Sequence, residues 1–328
     1  MLEISKSREV VVPDDVKTIL RRQKYHLVGQ HSAIKKCRWL HNSLVKGEYC
    51  YKHKFYGIES HRCVQCTPSV IWCTNQCIYC WRIMPGDYKL NWNQMALMHG
   101  KADDPETIID ECILEQRRIL TGYKPLSHAR VSWEKWNEAM EPRHFAISLS
   151  GEPLLYSRLS EMVEIIRRRG FTAFVVTNGI LPKRLGNLSE PTQLYVSVSA
   201  PNRATHKRVC RSLLRDGWER LIETIELLPA FSCPTVLRLT MVEGYNMIDP
   251  KGYARLIDMS NCTYVEVKAA MFIGGAQLRM ISKNMPRHDT VKNFAERICE
   301  ESSYEIINES IESRVVLLSR LKESIKVA

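Results

Sequence analysis

Seven of the twelve cysteines in this 328-residue chain fall between Cys37 and Cys80. The last three read Cys73-Thr-Asn-Gln-Cys77-Ile-Tyr-Cys80, a C-x3-C-x2-C spacing with a tyrosine just before the third thiol. Three thiolates this close can hold three corners of a four-iron cluster and leave one iron open to a small molecule. A zinc site is the competing reading, because Cys63-Val-Gln-Cys66 and Cys77-Ile-Tyr-Cys80 are two C-x2-C knuckles ten residues apart. Zinc explains four thiols but not Cys73. Upstream, Cys37, Cys50 and Cys63 follow one another at thirteen-residue steps, too wide for a knuckle but suited to ligands drawn from separate loops. The alternative for Cys37 and Cys50 is burial as small apolar side chains.

At 45% hydrophobic and 25% charged residues, the chain has an ordinary globular composition. After the cysteine loop, β-rich runs alternate with helical patterns, the signature of repeated βα units on a parallel sheet. The expected strands are Ser69–Trp72, Phe145–Ser150, Thr172–Thr177, Leu194–Ser199, Val236–Val242 and Tyr264–Ala270, with helices over Pro105–Leu120, Arg158–Arg169, Trp218–Leu228 and Pro250–Met259. The fold class is therefore α/β, a partial (βα)6 barrel. Residues 1–64 are expected to form a helical, basic, cysteine-bearing extension, 65–290 the barrel and 291–328 a C-terminal extension packing on it. Two β-rich stretches there, Tyr304–Ile307 and Arg314–Leu318, have no evident place. Functional groups of such barrels gather where strands end. Ser150-Gly151-Glu152-Pro153 closes the second strand, Thr177-Asn178-Gly179 the third and Ser197-Val198-Ser199 the fourth. Singly, each is equally a turn.

The net charge of +11 is uneven. Residues 1–62 hold thirteen Lys and Arg against six Asp and Glu. Interleaved with Tyr25, Trp39, Tyr51, Phe55 and Tyr56, this basic segment suits phosphates and unstacked bases, although such a run is equally a solvated helix face. Met1 to Asp15 reads as neither a signal peptide nor a mitochondrial presequence, and no segment approaches a membrane span. A cytoplasmic protein is expected, where clustered cysteines mean metal rather than disulfides.

Taken together behind the cysteine loop, the Ser-Gly-Glu-Pro, Thr-Asn-Gly and Ser-x-Ser stretches resemble the radical S-adenosyl-L-methionine (SAM) superfamily. Cys50-Tyr-Lys52-His-Lys54-Phe-Tyr-Gly57, the CTNQCIYCWR loop, His144 to Pro153, Val175 to Gly179, Met285-Pro-Arg-His288 and Ser313 to Leu318 resemble more closely the archaeal 4-demethylwyosine synthases of wybutosine biosynthesis. Cys66 is an additional thiol without a role in that pattern, and Ala269-Ala270 is less distinctive than the pattern leads one to expect.

The resemblance implies two 4Fe–4S clusters, a SAM cluster on Cys73, Cys77 and Cys80 and a second on Cys37, Cys50 and Cys63. It assigns Ser150, Gly151 and Glu152 to the SAM amino group and Thr177, Asn178, Ser197 and Ser199 to the rest of SAM. The implied substrates are pyruvate and tRNA-Phe carrying N1-methylguanosine just 3′ of the anticodon, joined into a tricyclic base by a carbon–carbon lyase. Lys52 is the implied Schiff-base residue, with Lys54 as substitute; phosphate contact or plain solvation is the alternative for both. Charge and barrel position nominate Arg21, Arg22, Lys24, Arg203, His206, Lys207, Arg279, Lys283, Arg287 and His288 for the tRNA. With no flavin-binding segment, an external donor such as a ferredoxin or flavodoxin is implied. The other readings are a different two-cluster radical SAM enzyme, such as a methylthiotransferase or a maturase, and a non-catalytic zinc RNA-binding module.

Overall fold

The computed structural model describes residues 9–126 and 130–328. Helix α1 (Asp14–Arg22) buries Val16 and Leu20 and places acids in its first turn and arginines in its last, in accord with the helix dipole. A hairpin follows, β1 (Tyr25–Val28) against β2 (Ser32–Lys35). Its turn amides, on Gly29 and Gln30, donate to Glu111 at 2.8 Å and Asp103 at 2.7 Å. Two short helices, α2 (Arg38–Val45) and α3 (Tyr51–Tyr56), start immediately after Cys37 and Cys50. Strand β3 (Cys63–Thr67) pairs antiparallel with β2 and parallel with the strand that comes after it.

The βα succession then runs α4 (Pro105–Thr121), α5 (Trp133–Met140), β4 (His144–Ile147), α6 (Leu159–Arg168), β5 (Thr172–Thr177), α7 (Pro182–Gly186), β6 (Gln193–Ser197), α8 (Arg203–Val209), α9 (Gly217–Leu227), β7 (Thr235–Met241), α10 (Pro250–Ser260) and β8 (Tyr264–Ala269). Helix α11 (His288–Cys299) leads to β9 (Glu305–Ser310) and β10 (Val315–Ser319). The ten strands form one sheet in the order β1-β2-β3-β4-β5-β6-β7-β8-β10-β9. Strands β3 to β8 are parallel, and antiparallel strands lengthen the sheet at both edges. Among the described residues, no helix is long and apolar enough to cross a membrane.

Two expectations change. The first barrel strand is Cys63–Thr67 rather than Ser69–Trp72. Pro68 lacks the amide a ladder needs, and the apolar run after it is a buried loop: Val70, Ile71 and Trp72 are enclosed but unpaired as strand. The segment before residue 65 is not only helical; its hairpin is part of the sheet, and the 64/65 boundary falls inside β3. The stretches Tyr304–Ile307 and Arg314–Leu318 find their place as β9 and β10.

Strand alternation sorts side chains to two faces. Val175, Leu194, Val196, Leu237, Leu239, Val265 and Val267 pack outward with the helices. Phe174, Tyr195, Val236, Tyr264, Val315 and Leu317 face the other way, where α3 fills the space with Tyr51, Phe55 and Tyr56. In that interior Glu266 is fully buried. It accepts from Tyr51 at 3.1 Å, Tyr56 at 3.0 Å and Arg238 at 3.0 and 2.9 Å. Glu266→Ala strands the Arg238 guanidinium without its carboxylate. We expect it to cost about 3–5 kcal/mol in denaturant unfolding, as removal of one partner of a buried pair does. A decrease below about 1 kcal/mol would show that the pair does not brace α3.

Candidate active site at the cysteine loop and barrel interior

The cysteine loop has little regular structure and is held by contacts from elsewhere. Arg82, only 1% exposed, donates to the carbonyls of Ile71 at 2.7 Å and Asn75 at 3.0 Å and to Gln94 at 2.9 Å. Arg279 donates to the Cys80 and Arg82 carbonyls, each at 2.9 Å, and grips Asp87 with one nitrogen at 2.9 and 2.7 Å. Trp81 donates its indole N–H to Leu149 O at 2.8 Å. Burial raises the pKa of the Cys73 thiol to about 12 and raises that of Cys80, while the Arg82 charge lowers both. Cys77 is raised first by a hydrogen bond with Cys210 and then by burial.

The strand ends converge on this loop. Gly151 has φ +74°, and a Cβ there would lie 1.7 Å from Ser69 O, so only glycine lets β4 turn against the loop. Glu152 follows, buried, its carboxylate accepting from Thr177 Oγ1 at 2.6 Å, Asn178 N at 2.7 Å and Leu154 N at 3.1 Å. Burial outweighs these hydrogen bonds and raises its pKa to about 7. Asn178 Nδ2 donates to Thr74 at 2.7 Å and lies 3.5 Å from Cys73 Sγ. Tyr79 donates to Ser199 at 2.8 Å and Ser150 to Val70 O at 2.9 Å, while Ser197 ends β6 half-buried. Soft thiols beside a guanidinium, with a glycine cradle next to them, fit a four-iron cluster and its small ligand.

Cys37 and Cys50 cap α2 and α3, and Cys63 opens β3 on the inner face. Burial raises the Cys63 thiol, Lys52 lowers it, and Cys50 and Cys37 are close enough to raise it further. Lys52 lies among them, its Nζ 4.8 Å from the Phe174 ring centre and 4.7 Å from that of Tyr195. Burial and then Arg238 lower its pKa, against the pull of Glu266, Cys63 and Cys50. Lys54 is not in this cavity: exposed, its Nζ donates to Glu309 O at 2.7 Å, so it is no substitute for Lys52. Sequence reasoning missed Lys268, whose buried amine donates to Ser313 O at 2.7 Å and is lowered by burial to about 8. Its one signal was a lysine two residues after Glu266 on the inward face of β8.

The zinc reading fails on geometry. Cys63 and Cys66 are three apart on a strand and so face opposite sides. Cys66 is buried under the helices, in the same cluster as Cys112. Among the described residues, no three Cys, His, Asp or Glu side chains converge on one metal ion; thiolates around a four-iron cube stand farther apart than those around a single zinc.

Of the nominated tRNA contacts, Arg21, Arg22, Lys24, Arg203, Lys207, Lys283 and Arg287 are exposed. Arg203 also pairs with Glu219 at 3.2 Å. Three are corrected. Arg279 braces the cysteine loop. His206 is buried, 5.6 Å from Trp218 between ring centres, and burial lowers its pKa to about 4, so it is neutral. His288 is buried and sits 2.8 Å from Glu309. Charge alone does not say which cations a fold turns inward.

Residues 67–257 match the radical SAM superfamily and residues 259–320 the wyosine base formation family. The S-adenosyl-L-methionine-dependent tRNA 4-demethylwyosine synthase of Pyrococcus abyssi is 45% identical over 94% of this chain and 90% of its own length. The chain belongs to this family of synthases. The Methanocaldococcus jannaschii synthase is 40% identical over 94% of this chain and 96% of its own. A solved TYW1 structure with a lysine–pyruvate adduct bound is 37% identical and superposes with a TM-score of 0.85 over 97% of this chain and 99% of its own. As a radical SAM enzyme of wyosine formation, the protein uses S-adenosylmethionine and a 4Fe–4S cluster.

The exposure pattern predicts how salt affects tRNA affinity. Alanine at Arg21, Arg22 or Lys24 is expected to lower the slope of log K against log salt by about 0.7–0.9 for each phosphate left without its cation. His206→Ala and His288→Ala should leave it unchanged, and binding titrations from low to high salt separate the two groups. A changed slope at His206 would mean that the histidine is charged and exposed when tRNA binds.

Proposed function

We propose that the protein condenses N1-methylguanosine, 3′ of the anticodon of tRNA-Phe, with pyruvate to give tricyclic 4-demethylwyosine. The pyruvate carboxyl carbon is lost, so the reaction is formally that of a carbon–carbon lyase. The observation that carries this reading is Lys52, an amine enclosed by Phe174 and Tyr195 beside three thiols. The lysine–pyruvate adduct of the TYW1 structure supports it.

When bound, SAM and its cluster supply a 5′-deoxyadenosyl radical able to take hydrogen from the unactivated N1-methyl group. Cys73, Cys77 and Cys80 would hold that cluster, with Ser150, Gly151 and Glu152 serving the SAM amino group and Thr177, Asn178, Ser197 and Ser199 the rest of SAM. Cys37, Cys50 and Cys63 would hold a second 4Fe–4S cluster next to pyruvate.

Lys52 attacks the pyruvate keto carbon as a free amine, and water leaves as the imine forms. Desolvation and the neighbouring Arg238 favour the uncharged nucleophile. The aromatic walls keep bulk water from hydrolysing the imine. Arg238 and Glu266 hold each other, and Glu266 holds α3 through Tyr51 and Tyr56, so the amine stays in register with the thiols. Outside, Arg21, Arg22, Lys24, Arg203, Lys207, Lys283 and Arg287 are the cations available to the anticodon-arm phosphates. Reducing equivalents come from an external donor, a ferredoxin or flavodoxin.

Two measurements test this. Borohydride added with pyruvate should fix one reduced pyruvate on the peptide carrying Lys52; Lys52→Arg abolishes the label and Lys54→Ala keeps it. Label on Lys54 or Lys268 instead would reassign the amine. Anaerobic reconstitution should give about eight irons per chain, falling to about four when Cys37, Cys50 and Cys63 are all alanine. Four in both proteins would remove the second cluster.

A further inference from the structure

Three cations share the barrel interior with one carboxylate. Lys52 Nζ and the central carbon of the Arg238 guanidinium lie 4.7 and 4.5 Å from the centre of the Tyr195 ring. Arg238 also donates to the Tyr51 hydroxyl at 3.0 Å, and Lys268 Nζ lies 4.8 Å from the centre of the Tyr51 ring. Tyr51 and Lys52 are neighbours in the chain, and Lys268 follows Glu266 by two residues on the inward face of β8. The two amines are thus linked through two tyrosines that Arg238 joins. Their partners differ from those of the arginine. Arg238 is committed to Glu266, whose oxygens also accept from Tyr51 and Tyr56. Lys268 has one acceptor among the described residues, the Ser313 carbonyl at 2.7 Å between β9 and β10, and pairs with no carboxylate there. An ammonium carries three N–H donors, so two remain for a ligand. The residue is half-buried: a small molecule can reach it, and an unpaired charge is costly there.

We infer that Lys268 is a substrate-binding residue whose ammonium holds the carboxylate of the keto acid while Lys52 engages its keto carbon. This rests on the Schiff base proposed for Lys52. In pyruvate the carboxyl carbon is bonded directly to the keto carbon, so an amine on one and a cation on the other have to come from the same small space. Arg238 has its charge balanced by Glu266; Lys268 has the unbalanced one. An arriving carboxylate supplies the missing partner and favours the protonated amine. The two lysines then differ in state as well as place, Lys52 neutral and nucleophilic, Lys268 charged and anchoring. The contact also selects the substrate, because a keto compound without a carboxylate leaves the ammonium unpaired and forgoes a charge-assisted hydrogen bond. The bond to Ser313 O ties β8 to the β9–β10 connection, and a residue with that structural part alone would treat charged and neutral ketones alike.

The test uses the full-length protein, reconstituted anaerobically, and compares pyruvate with pyruvamide, a neutral ketone of nearly the same shape. Each is equilibrated with the protein over a range of concentrations and trapped with cyanoborohydride, and the label on the Lys52 peptide is measured by mass. In Lys268→Met the pyruvate concentration for half-maximal labelling should rise about ten- to hundredfold, the worth of a hydrogen bond to a charged group. The pyruvamide value should stay within about threefold of wild type, and Lys268→Arg, which keeps the charge, should recover most of the preference for pyruvate. An unchanged pyruvate value in Lys268→Met overturns the inference, as does an equal rise for both ketones, which would leave Lys268 a structural residue only. If Lys268→Met does not fold, Lys268→Gln takes its place and is read in the same way. Wild-type protein that carries no label on Lys52 overturns the Schiff-base reading instead, and the inference falls with it.

Discussion

The Arg82 guanidinium, buried beneath three thiols, is the interaction on which the rest of the site depends. A buried charge is tolerated only with a partner. Arg82 has carbonyls and one amide for hydrogen bonds, and among the described residues no carboxylate pairs with it. The groups nearest to it that could take negative charge are the thiols; burial raises their pKa values and Arg82 partly offsets that rise. The same side chain ties Ile71, Asn75 and Gln94 together, so one residue both shapes the loop and favours thiolates there. The second arginine, Arg279, reaches the loop from beyond β8 and makes the barrel's last turn part of the same assembly.

The barrel interior solves a different problem with the same kind of chemistry. Glu266 and Arg238 are buried as a pair, and two tyrosine hydroxyls complete the carboxylate's hydrogen bonds. Around that neutralised centre stand two amines, Lys52 and Lys268, both lowered by burial. A carboxylate left unpaired there would hold the amines protonated. Committed to Arg238, it leaves a pocket in which either amine gives up its proton more readily than in water. Thiols and amine thus share one enclosed space, open to covalent chemistry on a small keto acid.

How much of this was legible in the sequence depended on whether a residue's partner was near in the chain. Strand β5 was read to the residue, and β6, β7 and β8 within two residues at either end, because apolar runs bounded by Gly, Asn and Pro leave few alternatives. The cysteine loop and Gly151 with Glu152 were legible because their spacing carries the chemistry. The hairpin of β1 and β2 was not, since Tyr25–Val28 and Ser32–Lys35 are four residues each and mix polar with apolar side chains. Ser69–Trp72 has strand composition, yet a proline and an enclosing loop overrule it. Arg279, His206 and His288 were read as surface cations because composition does not distinguish a guanidinium facing phosphate from one facing Asp87. Glu266 and Arg238 lie 28 residues apart on adjacent strands, a pairing that only the sheet register reveals.

Helix α3 is held from below by residues 324–327. Ser324 donates to Phe55 O at 2.5 Å, Val327 N to Tyr56 O at 3.0 Å, and Ile325 N to the Tyr264 hydroxyl at 2.7 Å. The segment carrying Cys50 and Lys52, made early in synthesis, is thus clamped by residues about 270 positions later in the chain. Domains tend to fold from the N-terminus as they leave the ribosome, but here α3 gains these hydrogen bonds only when residues 324–327 are present. The architecture ties the final packing of this site to a segment distant from it in the chain.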